Sequence, residues 1–120
     1  MLGLPGDFSS PSRFVRVAFL QNTAPVKRTA LETVTQAFHL LNNFDIPIGM
    51  QFAKGEEVVD IPSATHITVA SDLSGHKLYF RTLHNCEIRC IDLNRINFKK
   101  TGYVCKPLDK VKAETIHQIF

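Results

Sequence analysis

No apolar run in these 120 residues approaches the roughly 20 that cross a membrane as a helix. No secretory leader is visible, because Met1 leads straight into a glycine-containing loop, so any leader would lie upstream. Cysteine is scarce: Cys86, Cys90 and Cys105 are odd in number, which excludes a closed disulfide set. On a strand, Cys86 and Cys90 would lie about 13 Å apart, too far to bridge. His84 added to the three thiols still lacks the close-spaced pair that zinc sites favour, so no metal is inferred and idle or buried thiols are expected. No repeat, low-complexity tract or interdomain linker interrupts the chain. Charge is not one-sided either. The net +3 divides into +4 over residues 95–120 and −1 over the rest. That basic stretch lacks interleaved aromatics, so it reads as a solvated tail and not as a nucleic-acid platform.

What is present describes a globular chain long enough for one core, with 44% hydrophobic and 21% charged residues. The first informative stretch is Gly3-Leu4-Pro5-Gly6-Asp7-Phe8-Ser9-Ser10-Pro11. Glycines around Pro5 bend the backbone, and Ser9 or Ser10 before Pro11 predicts an N-cap with proline in the first turn. At about 100° per residue, residues 12–20 place Arg16 alone on one side, with Phe14, Val15, Ala18 and Phe19 opposite. A largely buried helix is expected. Arg13 falls within the apolar arc between Val17 and Leu20, where a guanidinium is costly unless paired or used. The serines are explained by capping and turns, since no spacing ties a histidine to them. A phosphate cradle is weakened by Pro11, which removes a donor amide.

After the breaker-rich residues 21–25, Thr29 and Glu32 form a capping box. The helix behind it sets Ala30, Leu31, Val34, Ala37, Phe38 and Leu41 against Glu32, Thr35, Gln36, His39, Asn42 and Asn43. This helix should cover a sheet, with His39 solvated. Residues 45–50 are a loop by virtue of Pro47 and Gly49, and residues 54–57 an exposed turn. From residue 64 the period becomes two. Residues 66–71, 77–82 and 86–92 predict three strands joined at Ser74-Gly75 and residues 83–85, an antiparallel meander. Cys86, Ile88 and Cys90 share one face of the last strand, and Glu87 with Arg89 the other. Residues 108–120 are a weak helical candidate behind Pro107. The fold class is α+β.

The run Gly3-Leu4-Pro5-Gly6-Asp7, Ser9-Ser10 and Ser12-Arg13-Phe14-Val15-Arg16-Val17-Ala18-Phe19 closely resembles the choloylglycine hydrolase family. Those proteins are bile salt hydrolases, penicillin V acylases and related linear amide C-N hydrolases of the N-terminal nucleophile superfamily. The resemblance continues through Ala37-Phe38-His39-Leu40-Leu41-Asn42-Asn43 and residues 65–98, and stops at the basic tail, 99–120. It implies the C-terminal part of a four-layer αββα sandwich, two antiparallel sheets between helical layers. Catalysis in the family uses an N-terminal cysteine whose own α-amino group is the base. Here Met1-Leu2 occupies the start, so the nucleophile half is expected to be missing. Arg13 matches the family's active-site arginine beside that cysteine and is the one site residue carried over.

The resemblance implies no cofactor. It implies, as partners, the N-terminal half or like subunits, and a small-molecule amide as substrate of the complete enzyme. Bile salt and penicillin V selectivity would rest largely on loops of the other half. Cytoplasmic and exported members both exist, which leaves the compartment open. Two functions follow: a hydrolase fragment inert by itself, or a non-catalytic remnant that binds a protein through an open sheet edge.

Overall fold

The change of apolar spacing from helical to alternating divides the molecule. The computed structural model describes residues 3–50, 52–57 and 63–120, so Met1 and Leu2 lie outside the described residues. The chain forms two compact units, residues 1–64 and 65–120.

The first unit is helical. Helix α1 spans Ser10–Thr23, with Ser9 as N-cap and Pro11 in the first turn, as the serine-proline pair predicts. Helix α2 spans Ala30–Leu41 behind the expected capping box: the Glu32 N–H donates to the Thr29 hydroxyl, and the Thr29 N–H donates to the Glu32 carboxylate. The Thr29 hydroxyl, which donates to the Glu32 carboxylate at 3.0 Å, and then the Thr29 N–H hold that carboxyl below its usual range. A 3-10 turn over Asn42–Phe44 continues α2. Its apolar arc is only partly used: Val34 and Phe38 are buried, while Leu31 is 70% exposed.

Helix α1 departs from expectation. It is not largely buried: Phe14 is 70% exposed, Val15 and Val17 are exposed, and Ser12 is its buried residue. Within this unit, one amphipathic helix and a loop offer too little surface to cover an element that is apolar on nearly every side.

The second unit is an antiparallel meander. Strands β1 (Ile67–Asp72), β2 (Lys77–Thr82) and β3 (Asn85–Asp92) lie in the order β1-β2-β3. Val69 pairs with Phe80, which pairs with Arg89, so these three share a face. Cys90 pairs with Tyr79 on the opposite face, as the alternation requires. Register shifts between Phe80 and Thr82. In the β1–β2 turn the Asp72 carboxylate accepts the Gly75 N–H and packs where a Cβ would stand, so a side chain at Gly75 would displace it. Phe80 is the buried apolar residue of the sheet, 7% exposed. Cys86, Cys90 and Cys105 form no disulfide and are exposed, so the thiols are not buried.

Residues 108–120 form no helix; they run without regular structure, consistent with Pro107 and their poor apolar spacing. Part of this segment is nonetheless fastened to the sheet: Asp109 pairs with Arg89 at 2.7 Å. Among the described residues, no helix is long and apolar enough to cross a membrane.

Candidate functional site

The site is built where the glycine loop turns into α1. Gly3 has φ +93, a left-handed conformation that an L side chain resists, and it starts the bend. Asp7 then organises the helix entry. One carboxylate oxygen accepts the Ser9 N–H at 2.8 Å, and the other accepts the Ser12 hydroxyl at 2.7 Å. The Ser9 hydroxyl donates to Ser12 Oγ at 3.0 Å and caps the helix by accepting the Ser12 N–H. Bonds from the Ser9 side chain, then the Ser12 hydroxyl and the Ser9 N–H, lower the Asp7 carboxyl to a pKa of about 2. Asp7 is therefore a fixed anion at the positive end of a helix.

Arg16 closes the loop from the other side. Its Nη1 donates to the carbonyl oxygens of Pro5 at 3.0 Å and Asp7 at 2.7 Å. The guanidinium also lies over the Phe44 ring, 5.5 Å from its centroid. On the wheel Arg16 stands alone on one side of the helix. The loop folds back over that side and uses it.

Arg13, the residue singled out from the sequence, sits in the first turns of α1, where its N–H donates to the Ser9 carbonyl at 3.0 Å. Its side chain is half-buried, and among the described residues its guanidinium has no hydrogen-bond or ion-pair partner. No carboxylate lies in the first turn of the helix. A cation near a helix N-terminus loses about 0.3–1 kcal/mol against the dipole. Asp7, at the same helix entry, has its carboxylate engaged by serines. A rigidly based guanidinium with its five donors unspent can receive an anion: a thiolate, a carboxylate or a developing oxyanion.

The structure thus separates two arginines one turn apart, one tied into the loop and one without a partner among the described residues. Sequence reasoning missed the role of Asp7, although Asp two residues before Ser is a recognised turn signal. For the Arg16 clasp there was no local signal, because the path of the loop is not written in helical periodicity. Among the described residues no cluster of His, Cys, Asp or Glu could hold a metal ion.

Two helices followed by an antiparallel meander are the pattern of part of an N-terminal-nucleophile hydrolase sandwich. The chain belongs to the choloylglycine hydrolase family, the linear amide C-N hydrolases, whose family model matches residues 1–106. It is 33% identical over 108 residues to a bile salt hydrolase/transferase of Lactiplantibacillus plantarum, covering 89% of this chain and 32% of that one. A second bile salt hydrolase/transferase, from Clostridium perfringens, is 33% identical over 97 residues, 81% of this chain and 28% of the relative. Over a shorter stretch, 49 residues or 41% of this chain and 18% of the other, it is 59% identical to uncharacterised protein A284L of Paramecium bursaria Chlorella virus 1. A crystal structure of a mutant conjugated bile acid hydrolase from Clostridium perfringens superposes with a TM-score of 0.65 at 30% identity, over 98% of this chain and 34% of that one. The chain spans about a third of the length of the bile salt hydrolases it matches.

Proposed function

We propose that this chain is the arginine-bearing, C-terminal part of a cysteine amidase that hydrolyses linear amide C-N bonds, with conjugated bile salts or penicillin V among the substrates of the complete enzyme. The observation that carries it is the Arg13 guanidinium: half-buried, without a partner among the described residues, and set on the first turns of α1 behind a loop fastened by Asp7 and Arg16. In this reading Arg13 faces the N-terminal cysteine. Its positive charge favours thiolate over thiol, and its fork holds negative charge that develops as the amide carbonyl is attacked.

The attacking thiol and its amine base come from the other part of the enzyme. Cys86, Cys90 and Cys105 do not substitute, because an internal cysteine has no α-amino group of its own to act as base. Residues 1–98 are assigned to the amidase, and residues 99–120 form the basic tail.

The test is hydrolysis by the purified chain, alone and co-expressed with the N-terminal part of a family member beginning at its cysteine. Alone, it should release no glycine, taurine or 6-aminopenicillanic acid above a buffer control. With the partner, release should appear. Turnover by the chain alone would overturn the reading.

The alternative, a protein-binding remnant, has one observation in its favour: β1 is an outer strand with Ile67 and Val69 exposed. A folded complex with the N-terminal part that stays inactive would favour it.

A further inference from the structure

Residues 107–114 have no regular structure, and of their side chains only Asp109 is appreciably shielded. A segment with no core of its own should wave in solvent. This one is held down at very few points. Arg89 Nη1 donates to Asp109 Oδ1 and to the Leu108 carbonyl, each at 2.7 Å. Arg89 Nη2 donates to the Thr82 hydroxyl at 3.2 Å, and the guanidinium lies 4.8 Å from the centroid of the Phe80 ring. Farther along, Glu114 accepts the N–H of Cys86 at 2.9 Å.

The sheet side of this attachment is built on the strands: Thr82 and Phe80 are buried, and Arg89 on β3 pairs with Phe80 on β2. On the other side the segment has no regular structure and is exposed apart from Asp109. Beneath it lies a cavity of about 380 Å³ at the β1–β2 end of the sheet, whose lining includes Ile67, Thr82, Leu83, Pro107, Leu108 and Lys112. The segment itself supplies part of the wall. Arg89 Nε is buried without a partner, so the attachment is not fully satisfied and is easier to break than its short distances suggest.

We propose that residues 107–114 are a releasable strap, latched to the sheet at Arg89, that opens and closes the cavity beside Thr82. The strap and the sheet are then separate cooperative units, and losing the latch frees the first without unfolding the second. Thr82 hydrogen bonding, and then Arg89, hold the Asp109 carboxyl below its usual range, so the latch is charged at neutral pH.

The experiment follows trypsin cleavage after Lys110 and Lys112, together with amide hydrogen exchange across the full chain. Asp109→Asn should raise cleavage at these lysines about tenfold or more, the scale of one lost charge-assisted hydrogen bond. The Cys86 amide should exchange faster in parallel, while the β1–β2 amides keep their protection. Asp109→Glu should behave nearly as the parent chain does. Unchanged cleavage in Asp109→Asn, or protection lost equally throughout the sheet, would overturn the proposal. Should Asp109→Asn not fold, the parent chain decides: the Cys86 amide must exchange faster than the β1–β2 amides and with little dependence on low denaturant. Equal exchange at both would overturn the strap as surely.

Discussion

The Arg16 guanidinium donates to the carbonyl oxygen of Asp7 at 2.7 Å, closing the glycine loop onto the helix that the loop itself begins. Asp7 is held from both sides, its carbonyl by Arg16 and its carboxylate by Ser9 and Ser12. One residue thereby fixes both the end of the loop and the start of α1. Arg13 is positioned by this arrangement and takes no part in it.

Arg16→Ala should destabilise the helical unit. It removes two hydrogen bonds from a charged donor to backbone carbonyls and the contact with Phe44. With the side chain only half-buried, a loss of about 1–2 kcal/mol is expected. Chemical denaturation of the complete enzyme or the co-expressed pair measures it, and Arg16→Lys should recover only part, since an ammonium cannot fork. A midpoint unchanged by Arg16→Ala would show that the clasp contributes nothing.

The Asp7 carboxyl, lowered to about 2 by Ser9 and Ser12, makes the loop acid-sensitive in one direction. A carboxyl with a folded pKa below its unfolded value contributes stability above the unfolded value, near 4, and that contribution fades as pH falls towards 2. Asp7→Asn should therefore flatten the pH dependence of stability between about pH 4.5 and 2 and weaken the fold at neutral pH. Denaturation at several pH values, parent against variant, tests this. Parallel curves would contradict it.

Purified alone, the chain should bind a hydrophobic dye and self-associate. Phe14, Val15 and Val17 on α1 and Leu31 on α2 are exposed, and β1 is an outer strand. Apolar area left wet forfeits about 25 cal/mol per Å², so a few hundred Å² rivals the whole stability of a small domain. The N-terminal part should suppress dye binding. A monomer with a cooperative thermal transition and no dye binding would contradict the expectation.

What the sequence makes legible here is whatever depends on neighbours a few residues apart. The Thr29–Glu32 box, the proline-marked start of α1 and the order of the three strands all follow from local spacing. Contacts across irregular backbone did not follow. Arg16 meets Pro5 across 11 residues of turn and helix, and Arg89 meets Asp109 across 20 residues, most of them without regular structure. Burial of α1 was misjudged for a related reason. Periodicity tells which face is apolar, not whether the chain supplies enough surface to cover it. Arg13 was legible as a misplaced cation on the wheel, and its role only through resemblance to a family; that it has no partner among the described residues is a fact of the three-dimensional arrangement.

The measurement that tests the account most directly replaces the matching third of the Lactiplantibacillus plantarum bile salt hydrolase with this chain and follows glycine release from glycocholate. The account predicts measurable turnover, reduced about 10- to 1,000-fold by Arg13→Ala, with little recovery in Arg13→Lys and no change in denaturation midpoint. Arg16→Ala in the same chimera should lower the midpoint and affect turnover far less. A folded chimera with no activity, or one whose activity is indifferent to Arg13→Ala, would contradict it.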